Sequence, residues 1–346
     1  MKPFIFFTLI SLILGLSACD SKSSVSRATG VAYEIAVVMD KVAWDGTAGQ
    51  AVKNELESPV PYLLKSESSM RITYVRPDQF DGLLKYIRNI LIVNINEKMY
   101  TKVSLLKESD KWAHGQAVFY LNAPDGQSVE TYLAENPRAL VKLYTEEEMN
   151  RTQEFLYEKY SPVVMENVKN KFGIELYAPT DISSSKSSTD CLWFSNDAVV
   201  GRMDLLIYSF PYTDHNTFTL EYLIAKRDSV TKYMVPGAFP GSYMSVEKRV
   251  VDYFPSTLHG KYCGILRGLW RMEGGDMMGG PFVSYARVDE KNNRVIVTEG
   301  FVYEPNKEKK NYIRRLEAAL RTTRFPNDTI DDYGQVKIVE KEKKKE

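Results

Sequence analysis

The sequence predicts an α+β protein of two packed units with mainly antiparallel sheets, preceded by an exported leader. Three observations predict it. Strand and helix patterns alternate through residues 31–178 and return through 191–325, a Ser-rich stretch at 179–190 separates them, and an apolar run near the N-terminus stops abruptly at Cys19.

Residues 1–18 have the form of a signal peptide. Lys2 supplies one positive charge, Phe4 to Leu14 an apolar stretch too short to cross a bilayer as a permanent helix, and Ser17-Ala18 the small residues that a signal peptidase admits. Leu16-Ser17-Ala18-Cys19 resembles the lipobox of bacterial lipoproteins, so Cys19 is the expected acceptor of diacylglycerol and the first mature residue. Two or three acyl chains would hold it firmly, at about 0.8 kcal/mol for each buried methylene. Residues 19–30 begin polar and Ser-rich and read as a lipidated, flexible tether.

The N-terminal unit, 31–178, opens with a β-rich run at 33–39 (YEIAVVM) and a helix at 47–56. A strand at 70–75, a helix at 77–86 with Pro near its first turn, and a buried strand at 89–96 (NILIVNIN) follow. Further strands are expected at 102–106 and 117–121, with antiparallel pairing among these later ones. Residues 129–172 turn helical, interrupted at Pro137 and Pro162, and their apolar stripe reads as core packing. Residues 179–190 (PTDISSSKSSTD) read as a linker. The C-terminal unit, 191–325, has strands near 191–194, 204–210, 264–272, 282–288 and 294–303, with helices near 218–232 and 306–321. Residues 326–346 end in KIVEKEKKKE and read as a charged, disordered tail.

The chain has 346 residues, 44% of them hydrophobic, enough to fill two cores. Lys+Arg and Asp+Glu both number 45, so the basic surplus that nucleic-acid binding needs is missing. Once Cys19 is acylated, Cys191 and Cys263 remain as an even pair. In an oxidising compartment they are a candidate disulfide; the alternative is two buried thiols.

Familiar motifs run through the second half. IYSFPY (207–212), RDS (227–229), VPG (235–237), GSYM (241–244), RGLWR (267–271), MGGPF (278–282), GFVY (300–303) and the helix YIRRLEAAL (312–320) occur in that order. Together with RNIL (88–91), they resemble a lipoprotein family of Bacteroidota known as domain of unknown function 4837. The resemblance, taken to span the whole mature chain, implies a cell-envelope lipoprotein and carries no catalytic residues with it. The final strand, tight turn and closing helix also resemble the end of the Mog1/PsbP-like α/β/α sandwich. Surface-exported lipoproteins of this group often carry an acidic run after the acylated cysteine. None follows Cys19, which implies an outer-membrane protein facing the periplasm.

Chemistry-bearing motifs are sparse. His114, His215 and His259 stand apart at no metal-ligand spacing, and HExxH, GxSxG, the P-loop and GxGxxG are missing. The richest stretch is RGLWRMEGGDMMGGPF (267–282). As a binding loop, Arg267 and Arg271 would hold an anion, Trp270 and Met278 would give apolar contact, and Gly279 and Gly280 close backbone approach. As structure, the same residues make a long hairpin with Trp270 in the core. Asp214, Arg227 and Asp228 form a candidate ion pair or ligand clamp.

These residues predict a non-catalytic envelope protein that presents a binding or scaffold surface to an unidentified envelope protein, glycan or lipid. No cofactor, metal or nucleic acid is expected. The alternative is a periplasmic hydrolase acting on envelope glycan or peptide through acidic residues at the joint. Replacing the anchor, Cys19→Ala, is expected to abolish acylation and membrane retention while the fold persists; unchanged membrane fractionation would refute the anchor.

Overall fold

The computed structural model describes residues 26–275 and 277–328, with the backbone of Lys337 and Ile338. Cys19 and most of the tether lie outside the described residues.

The first unit is built on a five-stranded sheet. Its elements are β1 (Glu34–Met39), α1 (Lys41–Asp45), α2 (Thr47–Leu56), β2 (Arg71–Val75), β3 (Asn89–Ile95), β4 (Ser104–Ser109), β5 (Ala117–Ala123), α3 (Gly126–Glu135) and α4 (Ala139–Glu158). The strand order is β2-β1-β3-β5-β4. Three of the four pairings are parallel, and only β4 runs antiparallel to its neighbour β5. This sheet therefore departs from the antiparallel expectation. The reason lies in β1 and β3, whose nearly unbroken apolar runs are covered on both faces, as central parallel strands require. Ile35, Val37 and Met39 face a core shared with α2, α3 and α4, while Ala36 and Val38 face a second core under Phe80, Leu84 and Trp112.

Residues 77–86 form two short 3-10 turns instead of a helix, because Asp81 is extended and Gly82 has a positive φ of 49°. Residues 27–30, expected to be the end of a flexible tether, are ordered. Arg27 and Thr29 bridge in parallel to His114 and Ile87.

The second unit comprises α5 (Pro162–Phe172), β6 (Ser184–Ser187), β7 (Cys191–Ser195), β8 (Arg202–Pro211), α6 (Leu220–Met234), β9 (Tyr243–Leu258), β10 (Lys261–Glu273), β11 (Gly279–Asp289), β12 (Arg294–Tyr303), α7 (Lys310–Arg321) and β13 (Lys337–Ile338). Its eight strands form one antiparallel sheet in the order β13-β9-β10-β11-β12-β8-β7-β6. Helices α5 and α7 cover one face and α6 the other. Gly300 permits the close seat of α7, since a Cβ there would lie 2.8 Å from that of Leu316.

Three boundaries differ from the sequence reading. Val164, Val168 and Phe172 of α5 pack in the second unit's core, so that unit starts well before the Ser-rich stretch. Within 179–190, Ser184–Ser187 forms an edge strand on β7, its backbone supplying the pairing that its small side chains do not signal. In the tail, Lys337 and Ile338 pair with Thr257 and Ser256, closing part of an open edge of β9.

The units meet along α7. Residues 57–70, between α2 and β2, reach across the joint as a clasp. Glu67 accepts hydrogen bonds from the backbone N–H groups of Lys309 and Lys310 at 2.8–2.9 Å, capping α7 from the other unit. Tyr62 donates to Asp252 at 2.7 Å, and Leu63 packs on the core of the second unit beneath α5 and α7. Glu67→Ala leaves buried amides without acceptors and is expected to cost roughly 2–3 kcal/mol in urea unfolding. Hydrogen exchange should quicken at Lys309 and Lys310; unchanged protection there would refute the cap.

Candidate binding site at the joint between the units

The stretch 267–282 is a β-hairpin of β10 and β11 whose residues diverge. Arg267 shares the sheet face of Cys263 and Ile265, beneath α7. Trp270 lies in the opposite core against Phe301, with its Nε1 donating to Val302 O at 3.2 Å. Met278 packs on that same core, and Arg271 lies at the surface between Glu247 and Glu273. Gly279 and Gly280 belong to β11, where a Cβ on Gly280 would fall 2.0 Å from Val302 O. These glycines serve strand packing, and the six residues make no common binding loop.

The predicted clamp also separates. Asp214 is exposed and accepts from Asn216 N, while Asp228 accepts from Val246 N at 2.8 Å. Arg227 is fully buried and pairs with Glu299, Nη2 to Oε1 at 2.7 Å, while its guanidinium lies 4.0 Å from the Phe282 ring centroid. The sequence reading missed Glu299. Its signal was a charge inside the apolar run VIVTEGFVY, which demands a counter-ion once buried.

Cys191 and Cys263 are free thiols rather than a disulfide. They sit in cores on opposite faces of the sheet, with β8, β12 and β11 between their strands. Burial pushes both thiols up to about 12, which suppresses the thiolate.

The residues that do converge lie at the joint. A cavity of about 270 Å³ opens between the clasp, α4, α7 and the face of β10 and β11. Val60, Val141, Met149, Ile265 and Ile313 give it apolar walls. Arg267 grips Glu317 through two hydrogen bonds, one of 2.6 Å, and Tyr285 donates to the same carboxylate at 3.0 Å. Arg321 binds Glu146 of the first unit at 2.7 and 3.0 Å and reaches Glu317 at 3.5 Å. Arg138 and Arg314 also line the cavity and meet at Ser69, one on its hydroxyl and one on its carbonyl.

The charges of this arrangement are held in fixed pairs. Burial alone would raise the Glu317 carboxyl, but the charge and hydrogen bonds of Arg267, with Arg321 behind them, bring it down to about 2. A carboxylate so firmly ionised has no proton to donate at neutral pH, and its oxygens are occupied. Among the described residues, no group of three or more His, Cys, Asp or Glu side chains is placed to hold a metal ion. Because the folded carboxyl titrates below its ordinary value of 4.5, its stabilising contribution is complete above that pH and lost as the pH falls toward 2. Glu317→Gln is therefore expected to lower stability at pH 7, with the gap to the parent chain narrowing through this acid window; a pH-independent gap in unfolding free energy would refute the pairing.

Comparison with known proteins bears out the resemblance to domain of unknown function 4837, over the second unit. Curated proteins give no significant match. Six chains of solved structures match. One is the Saccharomyces cerevisiae Ran-binding protein Mog1p, at 8% identity and a TM-score of 0.27, over 43% of this chain and 86% of that one. The resemblance drawn over the whole mature chain narrows to the second unit, because the first matches a different family. Residues 28–157 match the family described as Domain of unknown function (DUF8532), and residues 161–322 match the one described as Domain of unknown function (DUF4837).

Proposed function

We propose that this protein is a non-catalytic binding module of the cell envelope, anchored through lipid at Cys19 and facing the periplasm, with the joint cavity as its ligand site. One observation carries the reading: an apolar-walled cavity between the units whose two carboxylates, Glu146 and Glu317, are both tied to arginines. Concave, mainly apolar sites with a few fixed polar groups suit binding of small molecules. A hydrolase would need a carboxylate with oxygens open to its substrate, and both of these are engaged by arginines.

The anchor reading fits the start of the fold. At most about 25 Å of chain separates Cys19 from Ser26, so the first unit would sit against the membrane surface. A lipid-anchored module so placed would sample ligands at the membrane or in the adjoining envelope.

The test is native mass spectrometry of the full chain purified from cells. A co-purifying adduct of small mass is expected, and it should be lost in Val60→Trp, which puts a larger side chain on the cavity wall. No adduct in the parent chain, or turnover of envelope glycan or peptide by it, would overturn the proposal.

A further inference from the structure

The charge around the joint cavity points to the class of its ligand. Resting on the binding reading above, we infer that the cavity takes a carboxylate carried on a short apolar chain. Five cationic side chains line it, Arg138, Lys142, Arg267, Arg314 and Arg321, against the carboxylates of Glu146 and Glu317. Arg267 and Arg321 are matched to these two acids. Arg138 and Arg314 are not.

Arg138 donates to Ser58 Oγ, Pro59 O and Ser69 Oγ, and Arg314 to Ser69 O, all of them neutral acceptors. Arg314 is only 5% exposed and lies 4.1 Å from the Tyr33 ring centroid, an attraction weaker than a carboxylate would give. Glu55 acts on Arg138, and Glu317 and Glu148 on Arg314, without forming a salt bridge, and a buried guanidinium with no carboxylate in contact gains when an anion arrives. Two lining residues also carry an unmet polar atom: Thr145 Oγ1 and Arg321 Nε are buried and have no hydrogen-bond partner among the described residues. The apolar walls would take the chain, and the surplus of fixed cations the carboxylate.

A free fatty acid and the C-terminus of an apolar peptide share this chemistry. The test is calorimetric titration of the full chain with octanoate, N-acetyl-leucyl-leucine, octanol and octylammonium. One of the two carboxylates should bind with one-to-one saturation, and whichever binds tighter identifies the source. Octanol should bind at least about tenfold more weakly, the difference expected for one charge-assisted hydrogen bond. Octylammonium should not bind.

Arg314→Met should weaken the carboxylate by a similar factor. Thr145→Val, which removes a hydroxyl without a protein partner, should weaken it in a chain of unchanged melting temperature. Equal binding of octanol and octanoate, lost in Val60→Trp, would refute the carboxylate while sparing the cavity as a ligand site. Binding of none of the four would overturn both. Full affinity for the carboxylate in Thr145→Val and Arg314→Met would also refute the inference.

Discussion

The joint depends on carboxylates that serve as helix caps. Glu67 closes the first turn of α7, and Glu55, at the end of α2, does the same for α4 through the backbone N–H groups of Arg138, Leu140 and Val141. Both acids belong to the first unit, while α7 belongs to the second. Buried helix ends are tolerated only when their amides find acceptors, and an anion there also meets the positive end of the helix dipole. Fixing the starts of α4 and α7 fixes where Glu146, Arg314, Glu317 and Arg321 fall, and therefore the charge pattern of the cavity.

The protein buries arginine in two ways. Arg227 and Glu299 close on each other within a core, a pairing whose Coulomb gain chiefly offsets desolvation and whose value lies in fixing one packing arrangement. At the joint, Arg138 and Arg314 meet neutral oxygens and an aromatic face. The first arrangement is complete by itself. The second leaves a positive field over an apolar wall, which gives the joint a chemical preference that packing alone would not.

Much of the fold could be read from the sequence, for physical reasons that differ by element. Strands β8 and β12 declare themselves because they are buried on both faces and flanked by turn residues, and α5 because Ser161-Pro162 and Gly173 mark its ends. Strand order was hidden, since periodicity reports which residues face a core and not which neighbour supplies the hydrogen bonds. The edge strand at Ser184 was hidden because serine reads as a loop. For the site, the sequence offered Arg267 but attached it to Trp270 and Arg271. Alternation along β10 sends these side chains to different surroundings. Glu67 and Glu317, central to the joint, looked like ordinary surface acids, because a cap made across a distance of 242 residues leaves no local spacing.

The ordering of residues 26–29 bears on how the molecule would respond to force. Residues 26–29 are stitched between two segments of the first unit: Ala28 N donates to His114 O, His114 N to Ser26 O, Thr29 N to Tyr86 O, and Arg88 N to Thr29 O. A pull on the N-terminus along the chain loads these bonds side by side, in shear, so they share the strain instead of opening one after another. The load then enters the parallel sheet through residues 86–88 and 114, on the side of the unit where β3 and β5 begin. A pull on the N-terminal segment would thus load the first unit before the second.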